Sequence, residues 1–318
     1  MNFEFSSDQM LLKDQARKFL ENEESVKKAR EVLEGDQTHD ESLWRSVVEM
    51  GWTATTIPEE FDGLGLGYLE LCVIAEELGR SLAPTPFSSS VYLATEALIN
   101  QGSKEQHQKY LSKLAAGEIV GTLAHTETTN SPSPENLNCE LNNNKLNGIK
   151  IAVTDGDVAN FAVVSAKEGD KVVLVLVDLS AKGVEITSQN TLDPSRSHAS
   201  IKFKDADAEI LGSSQDGWAA LQEILDRAAV LFAFEQLGGA EACMDMAKEY
   251  AMGRFAFGRP IASFQAIKHK IADMYIAVEL ARSNCYFGAW ALSTDAPELA
   301  TAAATARVSA SKAFHECS

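Results

Sequence analysis

Along the first third of the chain, apolar positions recur at spacings of three and four, the signature of helices with one buried face. Leu12, Ala16, Phe19 and Leu20 form one such stripe, and Ser6, three places before Gln9, predicts a capping box at its start. A second helix is predicted from Glu41 to Met50 and a third from Tyr68 to Leu78, stopping at Gly79 with Pro84 and Pro86 beyond. Between them lies a glycine-bearing loop from Gly51 to Gly65. From Ile119 to Leu211 the period shortens. Phe161–Val164, Val172–Val177 and Ile201–Phe203 are short β-rich runs separated by polar turns, and the Asn-rich stretch Asn136 to Asn147 reads as a polar hairpin or mobile loop. From Asp216-Gly217-Trp218 onward three long helices are predicted. In one of them Leu237, Ala240, Met244, Ala247 and Ala251 mark a buried face ending near Gly253. After a break at Gly258 and Pro260 the chain restarts behind Ser263, with Phe264, Ile267, Ile271, Met274 and Val278 on one face, and a last, Ala-rich helix runs from Pro297 to Phe314. The predicted fold class is α+β, mostly α: a helical domain over 1–117, a small middle β-domain over 118–213 and an incomplete C-terminal helical bundle over 214–318.

Composition agrees with a large buried core, since 45% of the 318 residues are hydrophobic. A net charge of −18 argues against nucleic acid or an anionic membrane as partner. No apolar run approaches the roughly 20 residues that span a bilayer, and Met1-Asn2-Phe3-Glu4 lacks the basic start of a secretory leader, so a cytoplasmic protein is expected. The five cysteines are scattered without a C-x-x-C pair. Neither a zinc site nor a disulfide framework is indicated, and buried thiols are expected. His125, His198, His269 and His315 have no ligand-spaced partners and read as surface histidines; Ser195 lies in a turn, Asp193-Pro194-Ser195-Arg196, without a nucleophile elbow.

The chemistry concentrates in Arg254-Phe255-Ala256-Phe257-Gly258-Arg259-Pro260-Ile261-Ala262-Ser263-Phe264-Gln265. Arg254 sits at a helix C-terminus, and its planar guanidinium can donate two hydrogen bonds to one phosphate of a pyrophosphate. Phe257 can lie against an aromatic ring system, and Gln265 falls in the first turn of the restarted helix. On chemistry alone the segment is equally a cationic C-cap followed by a tight helix-helix turn.

Arg254-x-x-Phe257-Gly258 with Gln265 seven residues on, continued by Ala266 to Met274, resembles the flavin-contact segment of acyl-CoA dehydrogenases. Ile57-Pro58-Glu59-Glu60-Phe61-Asp62-Gly63-Leu64-Gly65 and Glu76-Glu77-Leu78-Gly79 resemble the loop and helix of that family's N-terminal domain. The resemblance implies FAD as cofactor, with Arg254 on the pyrophosphate, Phe257 beside the flavin and Gln265 on the adenosine side, all serving a cofactor held mainly by a neighbouring subunit. Thr126-Glu127 occupies the place of the family's Thr-Glu-Pro flavin loop, and Gly148-x-Lys150 with Thr154-Asp155-Gly156 resembles the strand that follows. Thr126 and Thr154 would then hydrogen-bond the flavin. Without the resemblance they are ordinary turn and strand-end threonines. Arg196, ahead of the Ala199 to Phe203 strand, is expected to be a structural residue, not a coenzyme A ligand.

The chain departs from the family's pattern in three places. Residues 128–134 contain no glycine and carry Pro132 and Pro134, neither of which can donate an N–H, and Ala152 stands where a Trp is common. These changes imply an incomplete flavin pocket. The sequence ends two residues beyond Ala313-Phe314-His315-Glu316, a segment from which relatives continue into another flavin-contact stretch, and many of them place the catalytic glutamate there. Others hold it on the helix preceding the Arg motif, at a position occupied here by Ala228. Asp226 and Glu235 are nearby; Glu235 is the candidate base, with a structural role the leading alternative and Asp226 expected to pair with Arg227. Two functions follow from the resemblance: α,β-dehydrogenation of an acyl-CoA thioester of fatty acid or sterol side-chain type, with electrons passed to an electron-transfer flavoprotein, or a non-catalytic half-site subunit completing an FAD site on a partner chain. Either implies a homo- or hetero-oligomer.

Overall fold

A computed structural model describes residues 5–213 and 216–318. Met1–Glu4, read above for a leader, lie outside them, as does the predicted boundary at residue 214. In chain order the helices are α1 (Ser7–Asn22), α2 (Ser25–Glu34), α3 (Glu41–Glu49), α4 (Tyr68–Arg80), a π-helix (Ser88–Thr95), α5 (Glu96–Gln101) and α6 (Lys104–Ala115). The strands follow as β1 (Gly121–Ala124), β2 (Glu140–Asn142), β3 (Lys145–Thr154), β4 (Phe161–Glu168), β5 (Lys171–Asp178), β6 (Val184–Ser188), β7 (His198–Asp207) and β8 (Glu209–Ile210). Then come α7 (Gly217–Gly253), a short hairpin of β9 (Phe255–Ala256) and β10 (Arg259–Pro260), α8 (Gln265–Ser293) and α9 (Leu299–Cys317). Among the described residues no helix is long and apolar enough to cross a membrane. The chain divides into two compact units. One comprises Met1–Val26, Gly67–Ala83 and Ala229–Ser318; the other comprises Lys27–Leu66 and Pro84–Ala228.

The first unit is helical and is built around α4, in which every residue from Leu71 to Gly79 is buried. The predicted capping box starts α1: Ser6 Oγ accepts from the Gln9 amide at 3.2 Å while Gln9 Oε1 accepts from Ser6 N at 2.8 Å. Two carboxylates on α4, Glu76 and Glu77, would be costly inside a helical core without counter-charges. Lys13 Nζ meets Glu76 Oε1 at 2.8 Å and Arg282 Nη1 meets the same oxygen at 2.9 Å. Arg17 grips Glu77 with both Nε and Nη2, at 2.9 and 2.7 Å. The ion pairs thus tie α1 and α8 to α4. Against α8, the helix α9 buries Ala302, Ala303, Ala306, Ala310 and Ala313, so small side chains form its packed face.

Gly79 does not stop a helix, because α4 continues to Arg80. Its role is a close crossing: a Cβ at Gly79 would lie 2.0 Å from the Glu235 carbonyl oxygen, and a Cβ at Gly238 would lie 1.9 Å from that of Glu76. The glycines of α4 and α7 therefore notch each other's backbone.

The second unit carries an eight-stranded sheet ordered β6-β7-β3-β2-β4-β5-β8, with β1 added parallel to β4. Phe161 to Ala166 of β4 and Val173 to Val177 of β5 are buried at every position, which explains why these runs are continuously apolar instead of alternating. The Asn-rich stretch is the expected hairpin. Asn143 and Asn144 both take left-handed conformations, φ 51° and 60°, in the two-residue turn between β2 and β3. Arg227 on α7 pairs with Glu96, both buried, in place of the predicted partner Asp226. Four of these helical elements have no counterpart in the sequence-based expectations: α2 and the π-helix, whose stripes are interrupted by charged residues and by three consecutive serines, and the short helices α5 and α6.

Substituting Gly79 by Ala should lower unfolding stability by roughly 2–4 kcal/mol, since the new methyl meets backbone and not a movable side-chain end. Urea denaturation of the two proteins measures this; an unchanged midpoint would show that the α4–α7 crossing is not fixed by the notch.

Candidate cofactor-binding site

In the helical unit α7 ends at Gly253 and the chain turns through the β9–β10 hairpin, with Arg259 opposite Ala256. The expected helix-helix turn is thus a two-residue hairpin turn. Both central residues, Phe257 and Gly258, have positive φ, 53° and 77°. This backbone suits the turn and glycine but is unfavourable for a bulky side chain. Phe257 is nevertheless 96% exposed. Its ring meets Phe264 edge-on at 6.3 Å, and the guanidinium of Arg259, which the sequence reading left unassigned, lies 4.1 Å from the Phe264 ring centre. Arg254 is exposed, and its side chain has no hydrogen-bond or ion-pair partner among the described residues. Phe264, whose side chain has no acceptor, is the N-cap of α8 with no side-chain cap, and Ser263 Oγ donates to Pro260 O at 2.7 Å. Gln265 opens α8, exposed. Arg254, Phe257 and Gln265 thus share one hairpin and helix start.

In the sheet unit the turn after β1 is fixed by a buried ion pair. Lys150 Nζ, on a residue with no solvent exposure, donates to Glu127 Oε1 at 2.7 Å and to Ser165 Oγ at 3.1 Å. Glu127 also accepts from the amides of Asn138 at 2.6 Å and Cys139 at 3.1 Å. Burial alone would raise the Glu127 carboxyl, but Lys150 and these amides hold it below its ordinary value; burial pulls Lys150 down against the pull of Glu127. Thr126 O accepts from Ile151 N at 2.8 Å, and Thr122 Oγ1 donates to Thr154 O at 2.7 Å. These bonds place Thr126 and Thr154 on neighbouring segments, both half-buried. Residues 128–137 close over His125 and leave a cavity of about 10 Å³, too small for a ligand. His125 is not a surface histidine: its Nδ1 is buried without a partner, and burial, with Lys150 behind it, pushes the ring down to about 4.

At the far end of β3, a bulge between Lys150 and Val153 turns Ala152 to φ 50°, and Thr154 pairs with His198 of β7. Thr154 Oγ1 lies 3.4 Å from His198 Nε2. Next to it Asp155 is buried, its Oδ2 accepting from Ser89 Oγ of the π-helix at 2.6 Å. Burial pushes its carboxyl up to about 6, opposed by the Ser89 bond and by Arg196. Arg196 donates to Ser88 Oγ at 3.1 Å, and Ser195 Oγ and N are held by Asp193 Oδ1, as a turn segment should be.

The base candidates divide. Ala228 is buried, Asp226 is half-buried with its carboxyl raised by burial, and Glu235 is 8% exposed on the face of α7 whose backbone meets Gly79.

The sequence patterns described as acyl-CoA dehydrogenase N-terminal domain and C-terminal domain match residues 6–118 and 215–318. Acyl-CoA dehydrogenase IpdE2 of Mycobacterium tuberculosis is 33% identical over 286 residues, 90% of this chain and 74% of its own length. The chain belongs to the acyl-CoA dehydrogenase family. Mitochondrial isovaleryl-CoA dehydrogenase of Solanum tuberosum is 32% identical over 265 residues, and this chain spans 64% of its length. The ChsE4-ChsE5 complex of Mycobacterium tuberculosis, a heteromeric assembly, superposes with a TM-score of 0.88 at 27% identity, covering 100% of this chain and 86% of that one. Relatives named as dehydrogenases do not favour the half-site reading.

FAD is the cofactor of this family. The residues present fit it. Among the described residues, the backbone N–H groups of Thr126, Glu127, Thr128 and Thr129 find no acceptor within the chain, so the glycine-free turn still offers amides. Thr126 and Thr154 carry hydroxyls on the same unit; in the helical unit, taken by itself, an unpaired guanidinium stands in a hairpin with an exposed aromatic ring.

A carboxyl protonated more readily in the fold than in the unfolded chain destabilises as it ionises. Stability from Asp155 is therefore greatest below about pH 4, falls as pH rises to about 6 and is level above. Asp155→Asn should stabilise the protein by roughly 2–3 kcal/mol at pH 7 and not at all at pH 4. Equal effects at both pH values in thermal unfolding would contradict a buried, ionising Asp155.

Proposed function

We propose that this chain is an FAD-dependent acyl-CoA dehydrogenase that forms an enoyl-CoA from an acyl-CoA thioester. The observation that carries the reading is the strained, exposed hairpin: a Phe held at positive φ in solvent, between an unpaired Arg and Gln265, is a costly arrangement unless a ligand covers it. Arg254 would take the pyrophosphate, Phe257 would lie beside the ring system and Gln265 would meet the adenosine side. Thr126 and Thr154 would hydrogen-bond the flavin. FAD, when bound, supplies the acceptor for the hydride leaving the β-carbon of the thioester. The α-proton goes to a carboxylate that none of the residues placed above is assigned to be.

Around the hairpin the helical unit exposes Met246, Tyr250, Met252 and Phe255, each about three-fifths or more open to solvent. An apolar surface of this kind fits a second subunit, identical or related. Arg254 would then serve a cofactor across that contact. An electron-transfer flavoprotein as electron acceptor, a cytoplasmic location and the division into 1–117, 118–213 and 214–318 belong to the same proposal.

Arg254→Ala should weaken FAD retention by the assembly about ten- to hundredfold, as expected for loss of a charge-assisted hydrogen bond. The thermal stability of the FAD-free protein should barely change, because the side chain is exposed and unpaired. Flavin per oligomer and melting temperature are measured separately; equal retention by variant and parent would sink the role. A large fall in melting temperature would instead identify a helix cap. Glu235→Gln should alter α-proton exchange only a few-fold in kinetic assays, whereas abolition without unfolding would make Glu235 the base.

A further inference from the structure

Thr154 and His198 face each other across β3 and β7, Oγ1 to Nε2 at 3.4 Å. The second ring nitrogen settles which atom donates. His198 Nδ1 lies 3.0 Å from Arg196 O, and a carbonyl oxygen can only accept, so Nδ1 carries a hydrogen. In the neutral ring Nε2 is then a bare lone pair, so in this contact the Thr154 hydroxyl is the donor. Thr154 can offer other groups only its oxygen lone pairs. In the protonated ring both nitrogens donate. Nε2–H then points at Thr154 Oγ1, and the hydroxyl hydrogen is released for a different acceptor.

We propose that His198 is a positioning residue that sets the hydrogen-bonding sense of Thr154 toward the flavin: an acceptor when the imidazole is neutral, a donor when it is protonated. The proposal rests on the reading that Thr154 meets FAD. Oxidised isoalloxazine presents ring-nitrogen lone pairs and the reduced ring adds an N–H, so the donor form of Thr154 complements the oxidised cofactor and the acceptor form the reduced one. The strand geometry leaves Thr154 little freedom to escape this coupling, because its carbonyl is held by Thr122 Oγ1 and the next amide, Asp155 N, donates to Ser197 O at 2.8 Å. Charged residues on the adjoining segments are Asp193 and Arg196 ahead of His198 and, on the turn after β3, Asp155 and Asp157, the latter bonded by Ser197 Oγ at 2.5 Å and by Ser188 Oγ from β6 at 2.8 Å. The π-helix contributes the neutral Ser88 and Ser89, and Gln189 donates its amide to His198 O at 2.7 Å.

The test is NMR titration of the His198 ring in the intact protein, without ligand and saturated with oxidised FAD. If oxidised FAD selects the donor form of Thr154, its binding must favour protonated His198 and move the ring's titration upward by about 0.5 to 1, the size of one neutral hydrogen bond. Thr154→Val should abolish the movement, and Thr154→Ser, which keeps a hydroxyl, should retain it. FAD binding weakened by Thr154→Val together with an unmoved His198 titration would overturn the proposal while leaving the flavin contact standing. An upward movement that persists in Thr154→Val would also overturn it, as a field effect of the cofactor. If FAD does not bind, or binds with equal affinity to Thr154→Val, the proposal falls together with the reading beneath it.

Discussion

The buried pair of Lys150 and Glu127 is the constraint on which the sheet unit's site depends. An ammonium with no solvent exposure is expensive to bury, and it persists because Glu127 and Ser165 both accept from it. Glu127 in turn takes two backbone amides at the start of β2, so one carboxylate joins the end of β1, the middle of β3 and the chain entering β2. That cross-brace locates Thr126 without help from glycine. It also explains how a segment that carries Pro132 and Pro134 can leave the amides of Thr126 to Thr129 open: the turn is held from behind by the Glu127 carboxylate.

The helical unit solves a different problem, the burial of two adjacent carboxylates on α4. Glu76 and Glu77 are neutralised by Lys13, Arg17 and Arg282, and the glycine notch at Gly79 and Gly238 lets α7 lie directly on that helix. Beyond this packed stretch α7 continues to Gly253 through increasingly exposed turns, and Arg254 and the hairpin follow in solvent. The cost of Phe257 at positive φ is borne by a two-residue turn that leaves few alternatives. Packing thus supplies the stability, and the strained, unpaired groups at its edge are the ones available for binding.

Much of this was legible in the sequence, and the failures have physical causes. Periodicity located α1, α3, α7, α8 and the β4 and β5 strands because each has one continuous apolar face or run. The capping box at Ser6 and Gln9 was readable because it is local. Gly79 was misread as a stop: a glycine that ends a helix and a glycine that admits a neighbouring backbone look identical until the partner helix is known. His125 was misread and Asp155 left unremarked because burial is set by how the chain folds back: Thr128 to Leu137 line the small cavity at His125, and the distant π-helix supplies Ser89 to Asp155. The Thr154–His198 contact is a matter of strand register, shifted by a bulge that no local pattern announces. Arg254, Phe257 and Gln265 were singled out by resemblance; that they share one hairpin and helix start, with Arg259 stacked on Phe264, depends on the turn geometry and is visible only in the fold.

The central claim is that these separately fixed residues serve a flavin that oxidises an acyl thioester. The most direct measurement is anaerobic mixing of the FAD-loaded assembly with saturated acyl-CoA thioesters of straight, branched and sterol-linked type, following flavin absorbance and the thioester product together. Bleaching of the oxidised flavin with one enoyl-CoA formed per flavin reduced, for at least one of these thioesters, is the predicted result. Stable FAD binding with no bleaching and no α-proton exchange across the whole series would contradict it.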